Sequence, residues 1–354
     1  MSLNNFILTL KNAIYSKSKG QYTNIQINEY VKNIIKFFAL QQKKYQEISN
    51  KKIINKTSKY NEDEIMLPNG TLIHCAGECD FDKLLSIRDK GIMAGDFVGI
   101  PETNNGETYF CADFYKKDDD LNSKEFFKKI EQSDISYNRS PFGEKMLNST
   151  RLAFIIQPSK EIDDLLQSDM YLKKNKDNPL QKALNLVEYS EIAVNNVSAI
   201  PYGLPGNAIS GIIAGDLLIQ NKEYMLMLKN MFPECFIIDR EGRAFYSPEL
   251  SNEKNIEISE KLISIARNNT QKKPNGVIER ANERIQNLIQ NSPYKSGGTY
   301  SIAENISRSM VNSAKKDNQM ARDIQGTQKE LKTNYKEIEN PTQDKDSKDV
   351  DIYE

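Results

Sequence analysis

The chain carries a single histidine and no tryptophan among its 354 residues, and only four cysteines, Cys75, Cys79, Cys111 and Cys235. One histidine excludes the multi-histidine metal centres. The cysteines offer one C-x3-C pair and no second pair to complete a ribbon or finger. A set made of His74, Cys75, Cys79 and Cys111 matches no common zinc spacing, so the thiols read as reduced and no metal is expected. Charge of one sign is also missing, with 48 basic against 49 acidic side chains. Nothing in the overall field therefore draws a nucleic-acid backbone or an anionic membrane. No apolar run reaches the roughly 18 to 20 residues of a membrane span, and MSLNNFILTLKNAIYSKSK lacks a basic n-region and a small-residue cleavage site. The expected location is cytoplasmic, or another cell reached without a cleavable signal.

Hydrophobic residues are scarce as well, 38% against a usual share of about 45 to 50%. The shortfall lies in the last quarter. From 312 onward Lys, Asp, Asn, Gln and Glu dominate with almost no aromatic residues, so 266–354 is expected to be a polar, largely disordered tail. Ile278, Ile285, Leu288 and Ile289 allow one short helix within it, over 276–290.

At the other end, INEYVKNIIKFFALQQKKYQEI places Tyr30, Ile34, Phe37 or Phe38 and Gln41 at helical spacing, and Phe6 to Ile14 repeats the pattern. Residues 1–60 are expected to form an N-terminal helical region. From 64 the texture changes to short β-rich runs broken by Gly, Asn and Pro: IMLPNGTLIHCA, GIMAGDFVGIP, ETYFCADFY, RLAFIIQPS, SEIAVNNVSAIP, AISGIIAGD, ECFIID and RAFYS. Pro68-Asn69-Gly70 supplies a turn, and Arg240-Glu241-Gly242-Arg243 joins the last two runs as a hairpin. In DFDKLLSIRDKGI, Asp80 or Asp82 would cap a helix that stops at Gly91. A further helix is expected over about 222–231. Isolated helices among irregularly spaced strands predict an α+β domain over 61–265, built on a mainly antiparallel sheet. Neither a phosphate loop nor a dinucleotide fingerprint is present.

Three segments stand out: TLIHCAG at 71–77, ETYFCADFY at 107–115 and EYSEIAV at 188–194. A strand ending in His74 and small residues precedes a helix closing on Gly-Ile, a glycine-bearing loop and a strand around Tyr109. This order resembles the ADP-ribosyltransferase superfamily, in the branch of diphtheria toxin and the poly-ADP-ribose polymerases, over roughly 64–250. The third segment, continuing through NNVSAIPYGLPGNAISGII, resembles that branch's glutamate strand and the strand after it. Two glutamates compete for the catalytic place, Glu191 at the head of Glu-Ile-Ala-Val and Glu188 in Glu-Tyr, and Glu191 fits the pattern better. Residues three apart on a regular strand face opposite sides, so the two would not share a pocket.

The resemblance implies a split antiparallel β-sheet core and NAD as substrate. Breaking the bond between nicotinamide and ribose develops positive charge on the sugar, which a carboxylate stabilises as in glycoside hydrolysis. Glu191 would supply it, His74 would hold the adenosine-side ribose, and Tyr109 would stack on the nicotinamide. Phe114, Tyr115 and Phe126 are open candidates for the other face of that ring. Cys75 stands where the family carries glycine, whose backbone holds the nicotinamide amide, and this requires the Cys75 side chain to point away. The implied activity is mono-ADP-ribosyl transfer from NAD to a macromolecular acceptor, a protein for preference, with release of nicotinamide, as in bacterial toxins and effectors. An NAD glycohydrolase using the same pocket and a non-enzymatic interaction protein on the same fold are the alternatives.

Overall fold

A computed structural model describes residues 3–51, 59–61, 64–94, 111–117, 121–135, 150–163, 165, 197–271 and 275–292. The chain opens with a helical hairpin, α1 (Leu3–Ser18) and α2 (Asn24–Ser49). Lys19 and Gly20, both at positive φ, turn the chain between them. Thr23 starts α2 through a reciprocal capping box with Gln26, which satisfies two amides that a helix start leaves open. Ile27, Val31, Ile34 and Phe38 recur at helical spacing and close on Leu10, Ala13 and Ile14 in a core of their own.

The remaining strands are β1 (Lys59–Asn61), β2 (Glu64–Met66), β3 (Leu72–Glu78), β4 (Ile92–Met93), β5 (Cys111–Lys116), β6 (Arg151–Ile156), β7 (Val197–Pro201), β8 (Gly203–Leu204), β9 (Gly211–Ala214), β10 (Phe236–Ile238) and β11 (Ala244–Tyr246). Seven of them form one sheet in the order β11-β10-β9-β6-β3-β5-β7. Every neighbouring pair is antiparallel except β9 with β10. The fold is therefore mixed α+β on a mostly antiparallel sheet. Small two-stranded pairs, β1 with β2 and β4 with β8, stand beside it.

Helices cover both faces, which is why β6 and β9 read as unbroken apolar runs rather than alternating ones. On one face Leu72, Phe154 and Ile212 meet residues from α3 (Phe81–Lys90), α5 (Asp216–Gln220), α6 (Lys222–Met231), α7 (Asn252–Gln271) and α8 (Asn275–Leu288). On the other, Ile73, Ile155 and Ile213 meet Phe126, Phe127 and Ile130 of α4 (Ser123–Ile135). Gly211 of β9 has no side chain for a packing reason: a Cβ there would lie 2.3 Å from the Phe236 ring.

The core runs on past residue 265, where the polar tail was expected to begin. Helix α7 continues through Ala266, and α8 adds Ala281 and Ile285 to the main cluster, followed by Ile289 just past its end. Composition hides this because the burying positions are single residues at helical spacing within a charged stretch. Residues 293–354, and with them the remainder of the expected tail, lie outside the described residues.

The β10–β11 hairpin forms as expected, with Gly242 at φ 86. Asp239 fixes it from inside. Its Oδ1 accepts from the amides of Glu241 at 2.8 Å and Arg243 at 2.9 Å, while Oδ2 takes the Arg243 guanidinium at 2.7 and 2.6 Å. Asp239 is fully buried, and burial pushes its carboxyl above the ordinary value while Arg243 pulls it back.

Candidate functional site

Strand β3 lies between β6 and β5, and it treats its two neighbours differently. With β6 it pairs along its whole length, from Leu72↔Ile156 to Glu78↔Arg151. With β5 the ladder holds at Leu72↔Lys116 and Ile73↔Tyr115, while β5 stays registered on β7 from Tyr115↔Val197 to Cys111↔Pro201. Strands β3 and β5 thus part at His74, the residue after the last rung. Beyond it β3 bulges against β6 between Cys75 and Gly77, and Gly77 sits at φ 72. Bulges of this kind re-aim the side chains next to them.

His74 is half-buried, on the sheet face of Leu72 and Phe154, with its ring 5.5 Å from that of Phe114. Phe114 itself has no exposed surface, so it supports the histidine and offers no free face to a ligand ring. Cys75 points the other way and packs, half-buried, against the second cluster together with Tyr115. Phe126 is buried in that same cluster, across the sheet from His74. Of the aromatic candidates, Tyr115 keeps partial exposure, but on the face opposite His74. Tyr109, Glu188 and Glu191 lie outside the described residues.

The turn from β3 into α3 is strongly held. Asp80 is the N-cap, accepting from the Lys83 amide at 2.8 Å, and Gly91 ends the helix at φ 83. The Lys83 ammonium reaches back to the Ala76 carbonyl at 2.6 Å and the Glu78 carbonyl at 3.2 Å, pinning the bulge. Tyr224, fully buried on α6, donates its hydroxyl to the Cys79 carbonyl at 2.6 Å. The Glu78 carboxylate accepts from Thr150 and sits 3.4 Å from Arg284 of α8. Sequence reasoning singled out none of Lys83, Thr150, Tyr224 or Arg284, because each is an ordinary helix or loop residue whose partner is distant or backbone.

Two of the thiols are deeply buried. Burial pushes the thiols of Cys79 and Cys235 up to about 12, which keeps both protonated and unreactive. No group of three or more His, Cys, Asp or Glu suited to a metal ion occurs among the described residues. The carboxyl of the buried Asp216, at the start of α5, is raised by burial and eased by Arg240, with the Asn269 amide 3.4 Å from its Oδ2. No helix among the described residues is long and apolar enough to cross a membrane.

Comparison with protein-family models, with curated proteins and with solved structures gives no match to this chain.

Proposed function

We propose that the chain is an ADP-ribosyltransferase that cleaves NAD beside His74, releasing nicotinamide and passing ADP-ribose to a macromolecular acceptor. The observation that supports this most is the setting of the only histidine. It stands half-exposed where two sheet strands part, backed by a buried phenylalanine and followed by a pinned bulge and a capped helix. A partly exposed side chain held from behind by a buried ring suits a residue that grips a ribose hydroxyl in one orientation. Cys75, which stands in place of the family's glycine, turns its side chain away from the His74 face and packs it against the opposite cluster, which supports this reading.

In this reading Glu191 carries the chemistry. Its carboxylate stabilises the positive charge that grows on the ribose as nicotinamide leaves, while His74 and Tyr109 hold NAD in the reactive shape. Strand β7 meets the sheet at Val197 beside Tyr115, and β5 starts at Cys111 beside Pro201. Glu191 therefore precedes one end of the β5–β7 ladder and Tyr109 the other.

Nicotinamide release from NAD, followed chromatographically, tests the assignment. Wild type releases nicotinamide, Glu191→Gln and His74→Ala lose it, and Glu188→Gln retains it. Release undiminished in Glu191→Gln sinks the carboxylate assignment, and no release from wild type with any acceptor sinks the enzymatic reading.

A further inference from the structure

The parted strands belong to two walls, and the end of α2 touches both. One wall runs from His74 through α3 to β4; the other runs from β7 through β8 to the short turn at Gly206–Ala208. They meet in the β4–β8 pair, Ile92↔Leu204 and Met93↔Gly203. Three glycines make that meeting possible. A Cβ on Gly91 would lie 2.0 Å from the Leu204 oxygen, one on Gly203 2.2 Å from the Ile92 oxygen, and one on Gly206 2.0 Å from the Arg88 oxygen.

Tyr45, in the last turns of α2, joins the walls from outside. Its hydroxyl donates to the Lys90 carbonyl at the end of α3, and its ring meets that of Tyr202 edge-on at 5.2 Å, between β7 and β8. Tyr202 holds φ 72, a left-handed conformation that a bulky side chain adopts only under constraint. Gln42 hydrogen-bonds its side chain. The contact is returned by Asn207, whose amide donates to the Ile48 carbonyl at 3.0 Å and the Lys51 carbonyl at 2.8 Å, closing off the C-terminus of α2. Ile48 is then buried in the main core, although α2 otherwise belongs to the hairpin's own.

We infer that Tyr45 is a positioning residue of the NAD site. It keeps the His74 wall and the β7 wall at one spacing, by fixing Lys90 and the strained Tyr202 at once. Tyr45 acts through the walls, by its contacts with Lys90 and Tyr202. The inference rests on the ADP-ribosyltransferase reading for its kinetic consequence and on geometry for its structural one.

Tyr45→Phe removes the hydroxyl and keeps the ring. Tyr30→Phe is the control, removing a hydroxyl bonded to Tyr22 within the same hairpin. Amide hydrogen exchange without NAD should quicken over both 90–93 and 200–204 in Tyr45→Phe and over neither in Tyr30→Phe. The KM for NAD should rise about fivefold, the size of one lost neutral hydrogen bond, with kcat within about twofold. Exchange unchanged, quickened at one wall alone, or quickened equally in Tyr30→Phe overturns the inference, as does an unchanged KM in an active protein. If wild type releases no nicotinamide, the enzymatic reading falls and exchange alone decides whether Tyr45 holds the walls.

Discussion

The His74 ring packs 5.5 Å from that of Phe114, a half-exposed side chain on a fully buried one. The two have separable jobs. Phe114→Ala empties a core position and should cost about 3 to 5 kcal/mol of stability, read by denaturant unfolding. His74→Ala removes a partly solvated ring and should cost about 1 kcal/mol or less, while lowering nicotinamide release at least about a hundredfold if it orients the ribose. A His74→Ala variant that loses its fold, or one that keeps its activity, contradicts this division.

Gly91 and Gly20 both hold a positive φ, 83 and 77, but Gly91 combines it with ψ −164 and sits in tighter surroundings. Alanine at Gly20 meets nothing within 4 Å, so it should cost only the conformational penalty, about 1 kcal/mol. Alanine at Gly91 collides with the Leu204 carbonyl as well and should cost about 3 kcal/mol or more. Thermal melts of the two variants check this. Equal shifts would mean that the α3 terminus and β8 do not approach so closely.

Helix α8 is part of the main core through Ala281 and Ile285, with Ile289 just beyond it. Ile285→Ala should destabilise by about 2 to 4 kcal/mol. A chain ending at residue 265 should melt well below the full-length protein, because it loses these residues and the end of α7. A chain ending at 265 that melts like the full protein would show the opposite.

Alkali should weaken the fold earlier than its exposed groups alone suggest. The buried thiols of Cys79 and Cys235 go from an ordinary value of 9.0 up to about 12, and the Tyr45 phenol from 10.0 up to about 12, all mainly through burial. Between those values the unfolded chain has lost protons that the folded chain keeps, so stability falls as pH rises. The loss should begin near pH 9 with the thiols and continue toward pH 12. Replacing Cys79 and Cys235 together by alanine should flatten the pH 9 to 10 part of the curve in denaturant titrations, and an unaltered slope there would refute the cause.

Much of this architecture is legible in local residue pattern. The helical period gave α2 and α6, Asp80 and Gly91 marked the ends of α3, and Arg240 to Arg243 marked a hairpin, because each signal is carried by neighbours in the chain. The strand order was not legible, since nothing near Arg151 says that β6 lies between β3 and β9. The helix over 276–290 was legible from Ile278, Ile285, Leu288 and Ile289, but its place in the core was not, because composition averages away a few buried positions in a charged stretch. At the site, His74 was singled out for being unique, whereas Phe114 and Phe126 drew attention as aromatic faces and prove to be interior packing. Tyr45, Tyr202 and Asn207 went unremarked because their meaning comes from contacts between residues far apart in the chain, 45 positions for Tyr45 with Lys90 and 159 for Asn207 with Ile48. Tyr202-Gly203 within IPYGLPGN was the available signal, a tyrosine set in a turn-forming stretch.

The measurement that bears most directly on the proposed activity is transfer of label from adenine-labelled NAD to a macromolecular acceptor in a cell lysate, run with wild type, Glu191→Gln and Glu188→Gln. Wild type and Glu188→Gln should label an acceptor with equimolar nicotinamide released, and Glu191→Gln should label none. Nicotinamide release with no labelled acceptor would make the protein an NAD glycohydrolase, and neither release nor label from wild type would contradict NAD chemistry at His74 altogether.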